Sequence, residues 1–339
     1  MNIGAYEQDY LDELKCFVAQ CDYLPFLEYG VSRDLIANFI TGELSDIFSN
    51  GGFVFLAKEQ KEIIGLIASE KLEWDSKHFG FNRAKISYLL ASGDYFKAYD
   101  TKQKLVSHLI GESYRRLALH LSARVCKEDI SSIHALEGEG FRLMDVLVTY
   151  SFQFQKQGTL DIVTSYPVRK FVQADLPKLI EISIKCFRDF PNATDRFHAD
   201  PVLSKEKSDQ VYIGWLTTSF QKSSSEILVA ERDGNPVGFS LCTINKPFFD
   251  KIGIRLGSIA LTAVQPSDRN KLVATSLLKA SLHWFRDKVD IVETGGQVSN
   301  YPVQRAWNKV GLRIARSQCT FHWSVLPNTY YRPNSSGIA

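Results

Sequence analysis

The stretch Gln265–Phe285 reads QPSDRNKLVATSLLKASLHWF. Arg269 opens a short polar run, and an unbroken helical pattern follows it. Such a layout suits a phosphate-binding turn, because backbone N–H groups at a helix start and the helix dipole both attract anions. The position where a turn of this kind commonly carries glycine holds Leu272. A cradle is made of N–H groups rather than of glycine itself, so Leu272 is compatible with one if its φ stays negative. An ordinary strand-to-helix loop is the competing reading.

Outward from this stretch the chain repeats itself. FVFLAKEQKEIIGLIAS from Phe53 and EILVAERDGNPVGFSLC from Glu226 each read as strand, charged turn, strand. Ala57 and Ala230 each precede a hairpin glycine, Gly65 or Gly238, by eight residues. Asp233-Gly234 is a strong hairpin-turn signal. EGEGFRLM around Gly140 and NKVGLRIA around Gly311 both predict a helix stopped by glycine before a strand. The interval from hairpin glycine to helix-end glycine is 75 residues in one half and 73 in the other. Matched order and spacing argue for an internal duplication. Each half should therefore run strand, hairpin, strand, turn, helix, strand, helix, strand. In the first half, AYDTKQKLVSHLIG (residues 98–111) is the stretch expected to correspond to the turn, and it has neither the Arg nor the small residues in place.

Composition narrows the function. The 339 residues suggest two domains at roughly 150 residues each. Forty basic and 38 acidic residues give a net charge of +2, without the basic stripe of a nucleic-acid binder. No apolar run approaches the ~18 residues of a membrane span. The acidic N-terminus MNIGAYEQDYLDELK carries no secretory pattern. Cys16, Cys21, Cys126, Cys186, Cys242 and Cys319 form no CxxC pair and have no His at ligand spacing. They are expected reduced, in the cytoplasm and without a metal.

This element order resembles the GNAT superfamily of N-acyltransferases, in which an Arg/Gln-x-x-Gly-x-Gly/Ala turn wraps the pyrophosphate of acyl-coenzyme A. Arg269-Asn270-Lys271-Leu272-Val273-Ala274 falls in register with it; Arg269 and the small Ala274 match, and Leu272 departs. LEWDSKHFGFNRAKI (Leu72–Ile86), DRFHADP (Asp195–Pro201) and GGQVSNYPVQRAWNKVGLR further resemble the dTDP-fucosamine N-acetyltransferase family, which acetylates the amino group of a nucleotide-linked sugar. The resemblance implies an α/β (α+β) protein of tandem GNAT-like folds, each a mixed, mostly antiparallel sheet flanked by helices. Residues 1–155 would form a degenerate first domain, 165–326 the acyl-CoA-binding domain, and 327–339 a disordered tail. It implies acetyl-CoA as co-substrate, bound by Ala263, Val264, residues Arg269 to Ala274, Thr275 and Asn300, and an amine acceptor, with a homodimer left open.

Asn300 reads equally as the N-cap of the helix that starts at Pro302. The family's acid, a Tyr, is replaced by Trp307, whose indole does not supply a proton; an apolar role against the sheet is the alternative. Arg196 and Tyr212 are candidate substrate contacts, and His198 or Asp200 a candidate base; a loop of mutually satisfied polar groups explains the same residues. Three functions remain open: acylation of a sugar amine, acylation of a peptide or small amine, and acyl-CoA binding without turnover.

Overall fold

The computed structural model describes residues 1–7, 10–116, 118–157, 163–188, 195–219 and 224–325. The expected tail lies outside them. In chain order the strands and helices are β1 (Asn2–Ala5), α1 (Leu11–Gln20), α2 (Arg33–Ser49), β2 (Phe53–Glu59), β3 (Glu62–Lys71), α3 (Glu73–Phe79), β4 (Arg83–Ala91), α4 (Tyr95–Arg115), β5 (His120–Cys126), α5 (Ile130–Gly138), β6 (Arg142–Gln153), α6 (Phe154–Gln157), β7 (Val168–Lys170), α7 (Leu176–Arg188), α8 (Arg196–Ala199), α9 (Lys205–Ser219), β8 (Ser225–Arg232), β9 (Asn235–Asn245), α10 (Lys246–Ile252), β10 (Leu256–Val264), α11 (Val273–Phe285), β11 (Ile291–Gln297), α12 (Tyr301–Lys309) and β12 (Arg313–Ser324). No described helix is long and apolar enough to cross a membrane. The mixed α/β class and the tandem arrangement are as the sequence implies.

The chain forms two compact units that do not follow the linear halves 1–155 and 165–326. One contains Met1–Asp145, Asp195–Lys205 and Gln318–Ala339, the other Val146–Thr194 and Glu206–Ser317. Their cause is an exchange of last strands. From Val146 onward β6 belongs to the second unit, where Leu147–Gln153 pair antiparallel with β11. From Gln318 onward β12 belongs to the first, where Gln318–Ser324 pair antiparallel with β5. The first unit's strand order is β1-β2-β3-β4-β5-β12, and the second's is β6-β11-β10-β9-β8-β7.

The duplication extends to backbone irregularities. The second hairpin turns through Asp233 (φ 52°) and Gly234 (φ 76°), the first through Gln60 (φ 48°) and Lys61 (φ 76°). Positive φ at both central residues matches the right-handed twist of the flanking strands. Helices α5 and α12 are each followed by a left-handed glycine, Gly140 or Gly311. In each unit a parallel strand pair holds for four rungs and then parts. β4 and β5 pair from Arg83↔His120 to Ile86↔Ala123; β10 and β11 pair from Leu256↔Ile291 to Ile259↔Thr294. A bulge follows the last rung in both, at Ser87 and at Ala260. The extra residue sharpens the local twist and turns the strand off its neighbour's line.

Helix α11 buries Val273, Ser276, Leu277, Leu278, Ser281, Leu282 and Phe285, one stripe at helical spacing. Gly257 permits this packing, because a Cβ there would lie 2.5 Å from the Phe285 ring. Val273 joins Ala230, Val237 and Leu277 in a small buried cluster, which fixes where the helix starts.

Candidate functional site

The second unit places the fork and the turn in sequence. Past Ile259↔Thr294, β10 continues to Val264 and β11 to Gln297 without further described rungs between them. The Thr294 hydroxyl donates to the Ile259 carbonyl at 3.1 Å and closes the apex. Ala263 and Val264 lie on the departing arm of β10, paired on its other side with Phe239 and Gly238. Gly238 is required by this approach: a Cβ there would stand 2.8 Å from the Ala263 carbonyl oxygen.

Between Val264 and α11 the chain forms the turn. Asp268 is fully buried at its base. It accepts from Ser267 Oγ at 2.8 Å and from Arg232, and Lys271 Nζ lies 3.6 Å away. This carboxylate holds the loop from inside and leaves the basic residues on its rim. Arg269 Nη2 lies 3.6 Å from Cys186 Sγ, whose thiol donates to the Val264 carbonyl at 3.1 Å. The first backbone bond of α11 runs from Ser276 N to Leu272 O at 2.9 Å. Val273, Ala274 and Thr275 therefore bring first-turn N–H groups that have no acceptor within the helix.

Leu272 is where the sequence reading fails in detail. Its φ is +66°, and that of Asn270 is +62°. The turn takes the glycine conformation without the glycine. Leu272 tolerates it because its side chain is 43% exposed and meets solvent instead of a packed wall. A left-handed L-residue costs roughly 1–2 kcal/mol. Leu272→Gly is therefore expected to stabilise the protein by about 1 kcal/mol, part of the relief being offset by glycine's greater freedom when unfolded. Urea unfolding measures this; a destabilised variant would show that the leucine side chain supports the turn.

The first unit lacks a comparable turn, for a reason other than the expected one. Residues 98–111 lie inside α4, which starts earlier than its apolar pattern suggests. The connection after β4 is only Ser92-Gly93-Asp94, and the Asp94 carboxylate accepts from Lys97 N at 2.9 Å. A carboxylate occupies the helix N-terminus, so a phosphate is repelled there.

The remaining candidates divide between the units. Tyr212, Asn300 and Trp307 belong to the second; Arg196, His198 and Asp200 belong to the first. Asn300 is the N-cap of α12, its side chain accepting from Val303 N at 3.5 Å. Tyr212 is buried, its ring packed edge-on against Trp215. Trp307 is 3% exposed within the apolar cluster of β6, β10, β11, α11 and α12. Arg196 lies with its guanidinium carbon 4.6 Å from the centre of the Phe197 ring. His198 Nδ1 lies 2.7 Å from Asp195 Oδ2, the carboxylate that also caps α8.

Asp200 is not a base for substrate. It is 2% exposed, and its Oδ2 accepts from His120 Nε2 at 2.9 Å and His322 Nδ1 at 2.7 Å. Burial pushes its carboxyl up, but the two hydrogen bonds outweigh that and hold it well below the usual carboxylate range. Burial also pushes the His322 imidazole down to about 3, against the pull of Asp200. His120 and His322 carried no pattern in the sequence, being 80 and 122 residues from Asp200.

The three side chains bring potential ligand atoms within 4.8 Å of one another. Their hydrogen bonding argues against a ligand set. Arg83 Nε donates to His120 Nδ1 at 3.4 Å, which keeps the imidazole proton on Nε2, directed at Asp200. Ligands of a tetrahedral ion at about 2.1 Å would also stand roughly 3.4 Å apart, farther than the hydrogen-bond distances found. The arrangement is an anion held between two neutral imidazoles.

Residues 179–312 match the model of the Acetyltransferase (GNAT) family. No curated protein matches the chain by sequence. Among solved structures, a GCN5-related N-acetyltransferase from Sphaerobacter thermophilus is similar at TM-score 0.63 and 13% identity, covering 96% of both chains. A tandem GNAT protein from the clavulanic acid biosynthesis pathway gives TM-score 0.55 and 12% identity over 96% of this chain and 99% of that one. A glucosamine N-acetyltransferase region of a fungal multi-domain β-N-acetylglucosaminidase gives 0.60 and 12%, over 95% of this chain and 38% of that one. The fork and the open helix start both lie within residues 179–312: that segment matches the GNAT acetyltransferase family, and the chain as a whole has a fold similar to that of a tandem GNAT protein.

Proposed function

We propose that the second unit binds acyl-CoA and passes its acyl group to the amino group of a nucleotide-linked amino sugar. The left-handed turn at Asn270 and Leu272, which opens onto the first N–H groups of α11, carries the cofactor part of this reading. The pyrophosphate lies against Val273, Ala274 and Thr275 with Arg269 and Lys271 on the rim, and the pantetheine arm follows Ala263 and Val264 into the fork. The free amine attacks the thioester carbonyl, and N–H groups of the departing β10 arm stabilise the charge that builds on oxygen.

The acceptor part rests on the resembling stretches. Leu72–Ile86 and Asp195–Pro201 are far apart in sequence but pack together in the first unit. The Phe79 and Phe197 rings stack at 6.1 Å, and Arg83 lies 4.6 Å from the Phe79 centre. Arg196, beside the Phe197 ring, is the candidate contact for the sugar nucleotide's phosphates. The fungal region similar to this chain is described as acting on glucosamine, which favours an amino sugar over a peptide.

Ala274→Asp tests the cofactor site. An acidic residue in the first helical turn suits the dipole, so stability should hold, while the new charge meets the pyrophosphate. Like charges brought together cost several kcal/mol, and acetyl-CoA affinity measured by calorimetry should fall about 100-fold. Unchanged affinity would remove the phosphates from this turn. Thiol release with nucleotide-linked 4-amino sugars, free glucosamine and peptides tests the acceptor, with turnover expected for the first. Turnover only with peptides would replace the acceptor; binding without turnover on any amine would leave a binding protein.

A further inference from the structure

We propose that the indole N–H of Trp307 is the hydrogen-bond donor that receives the thioester sulfur of the acyl-CoA, stabilising the departing thiolate without giving up its proton. This rests on the acyl-CoA reading of the second unit. Trp307 is 3% exposed, yet its Nε1 has no hydrogen-bond partner among the described residues. A buried donor left unmade is costly in a folded protein, and such groups call for an acceptor supplied from elsewhere. Nearby hydroxyl chemistry does not supply it. The Tyr150 ring lies 5.0 Å away, but its OH donates to Gln304 Oε1 at 3.5 Å.

The ring's position says where the acceptor comes from. The tip of the indole rests on Gly296, where a Cβ would stand 3.0 Å from Cη2. Gly296 is two residues beyond Thr294, the last rung of the parallel pair, so the ring covers β11 where β10 has left it. The two walls of the fork then offer different donors. Backbone N–H groups of β10 face the carbonyl oxygen, and the indole on the β11 and α12 side faces sulfur. In the reaction the amine nitrogen bonds to the carbonyl carbon and the C–S bond breaks with its electron pair going to sulfur. The surplus amine proton passes to water, and the thiolate takes its own proton from water after leaving. An indole donates a hydrogen bond but does not act as the acid. A thiol of reference pKa about 8.5 is a leaving group for which a hydrogen bond is enough.

Trp307→Phe removes the N–H and keeps an aromatic ring. It should lower kcat about a hundredfold, the lower end of the range for losing one transition-state donor, while acetyl-CoA affinity changes less than about threefold. In protein labelled with 15N-tryptophan, the Trp307 indole signal, identified by its loss in Trp307→Phe, should move downfield with acetyl-CoA. It should stay in place with the dethia analogue, in which CH2 replaces sulfur. An unchanged kcat in Trp307→Phe, or equal shifts with both ligands, overturns the proposal while acetyl-CoA binding stands. If Trp307→Phe does not fold, the Trp307 signal is assigned by elimination, replacing Trp74, Trp215, Trp284 and Trp323 one at a time, and the comparison of the two ligands decides. Absence of any acetyl-CoA binding removes the cofactor reading and this proposal with it.

Discussion

Residues 165–326 produced alone should give no cooperative unfolding transition in urea. They include every element of the second half, yet they lack the strand that completes its sheet. β11 pairs with Leu147–Gln153 along its whole length, from Ile291 to Gln297. Without β6 that edge is open and its backbone groups lose their partners. Val148, Tyr150 and Phe152 also leave the core, where they are 6%, 2% and 2% exposed. At roughly 1.5–3 kcal/mol for each buried side chain the loss is about 5–9 kcal/mol, comparable with the whole stability of an ordinary domain, about 5–15 kcal/mol. Extending the segment back to Val146 should restore a transition. Cooperative unfolding of 165–326 by itself would mean that β6 is dispensable to the second unit.

Asp200→Ala is expected to destabilise the first unit by about 3–5 kcal/mol, the usual result of removing one member of a buried charged network. His120 and His322 would each keep a buried N–H without an acceptor, and Val202 N would lose its bond to Asp200 Oδ1, 2.9 Å long. The same network makes the protein acid-sensitive. An unfolded His322 takes up a proton below its ordinary pKa near 6.5, whereas the folded imidazole refuses one until about pH 3. The unfolded state therefore binds more protons in that window, and stability falls as pH falls through it, by about 3 kcal/mol between pH 6.5 and pH 4. Asp200, held below its ordinary range, adds a loss in the same direction below about pH 4. Chemical denaturation across pH 4–7 checks both claims; an Asp200→Ala variant as stable as the parent would show that the imidazoles find other acceptors.

The sequence disclosed what is local. Asp233-Gly234 set the second hairpin, Gly140 and Gly311 stopped their helices, and the register Arg269 to Ala274 located the turn. It did not disclose the sign of φ at Leu272, because leucine has no preference for the left-handed region and nothing in the neighbouring residues announces it. It also hid the strand exchange. β6 and β12 are both apolar strands that follow a helix and a glycine, and their pattern does not say which sheet each completes. The partnership of Asp200 with His120 and His322 is equally non-local: only the fold brings Asp195–Lys205 beside β5 and the end of β12 in the first unit. The two candidate bases before α9 thus separate into His198, paired with its own helix cap, and Asp200, committed to a buried network.

The most direct test of acyl-CoA binding in the second unit is amide hydrogen exchange with and without saturating acetyl-CoA. Occupation of the fork and the turn slows exchange at residues 260–275 and leaves residues 87–98, the matching stretch of the first unit, unchanged. Slowed exchange at 87–98 with none at 260–275 would put the cofactor in the other unit and contradict the account.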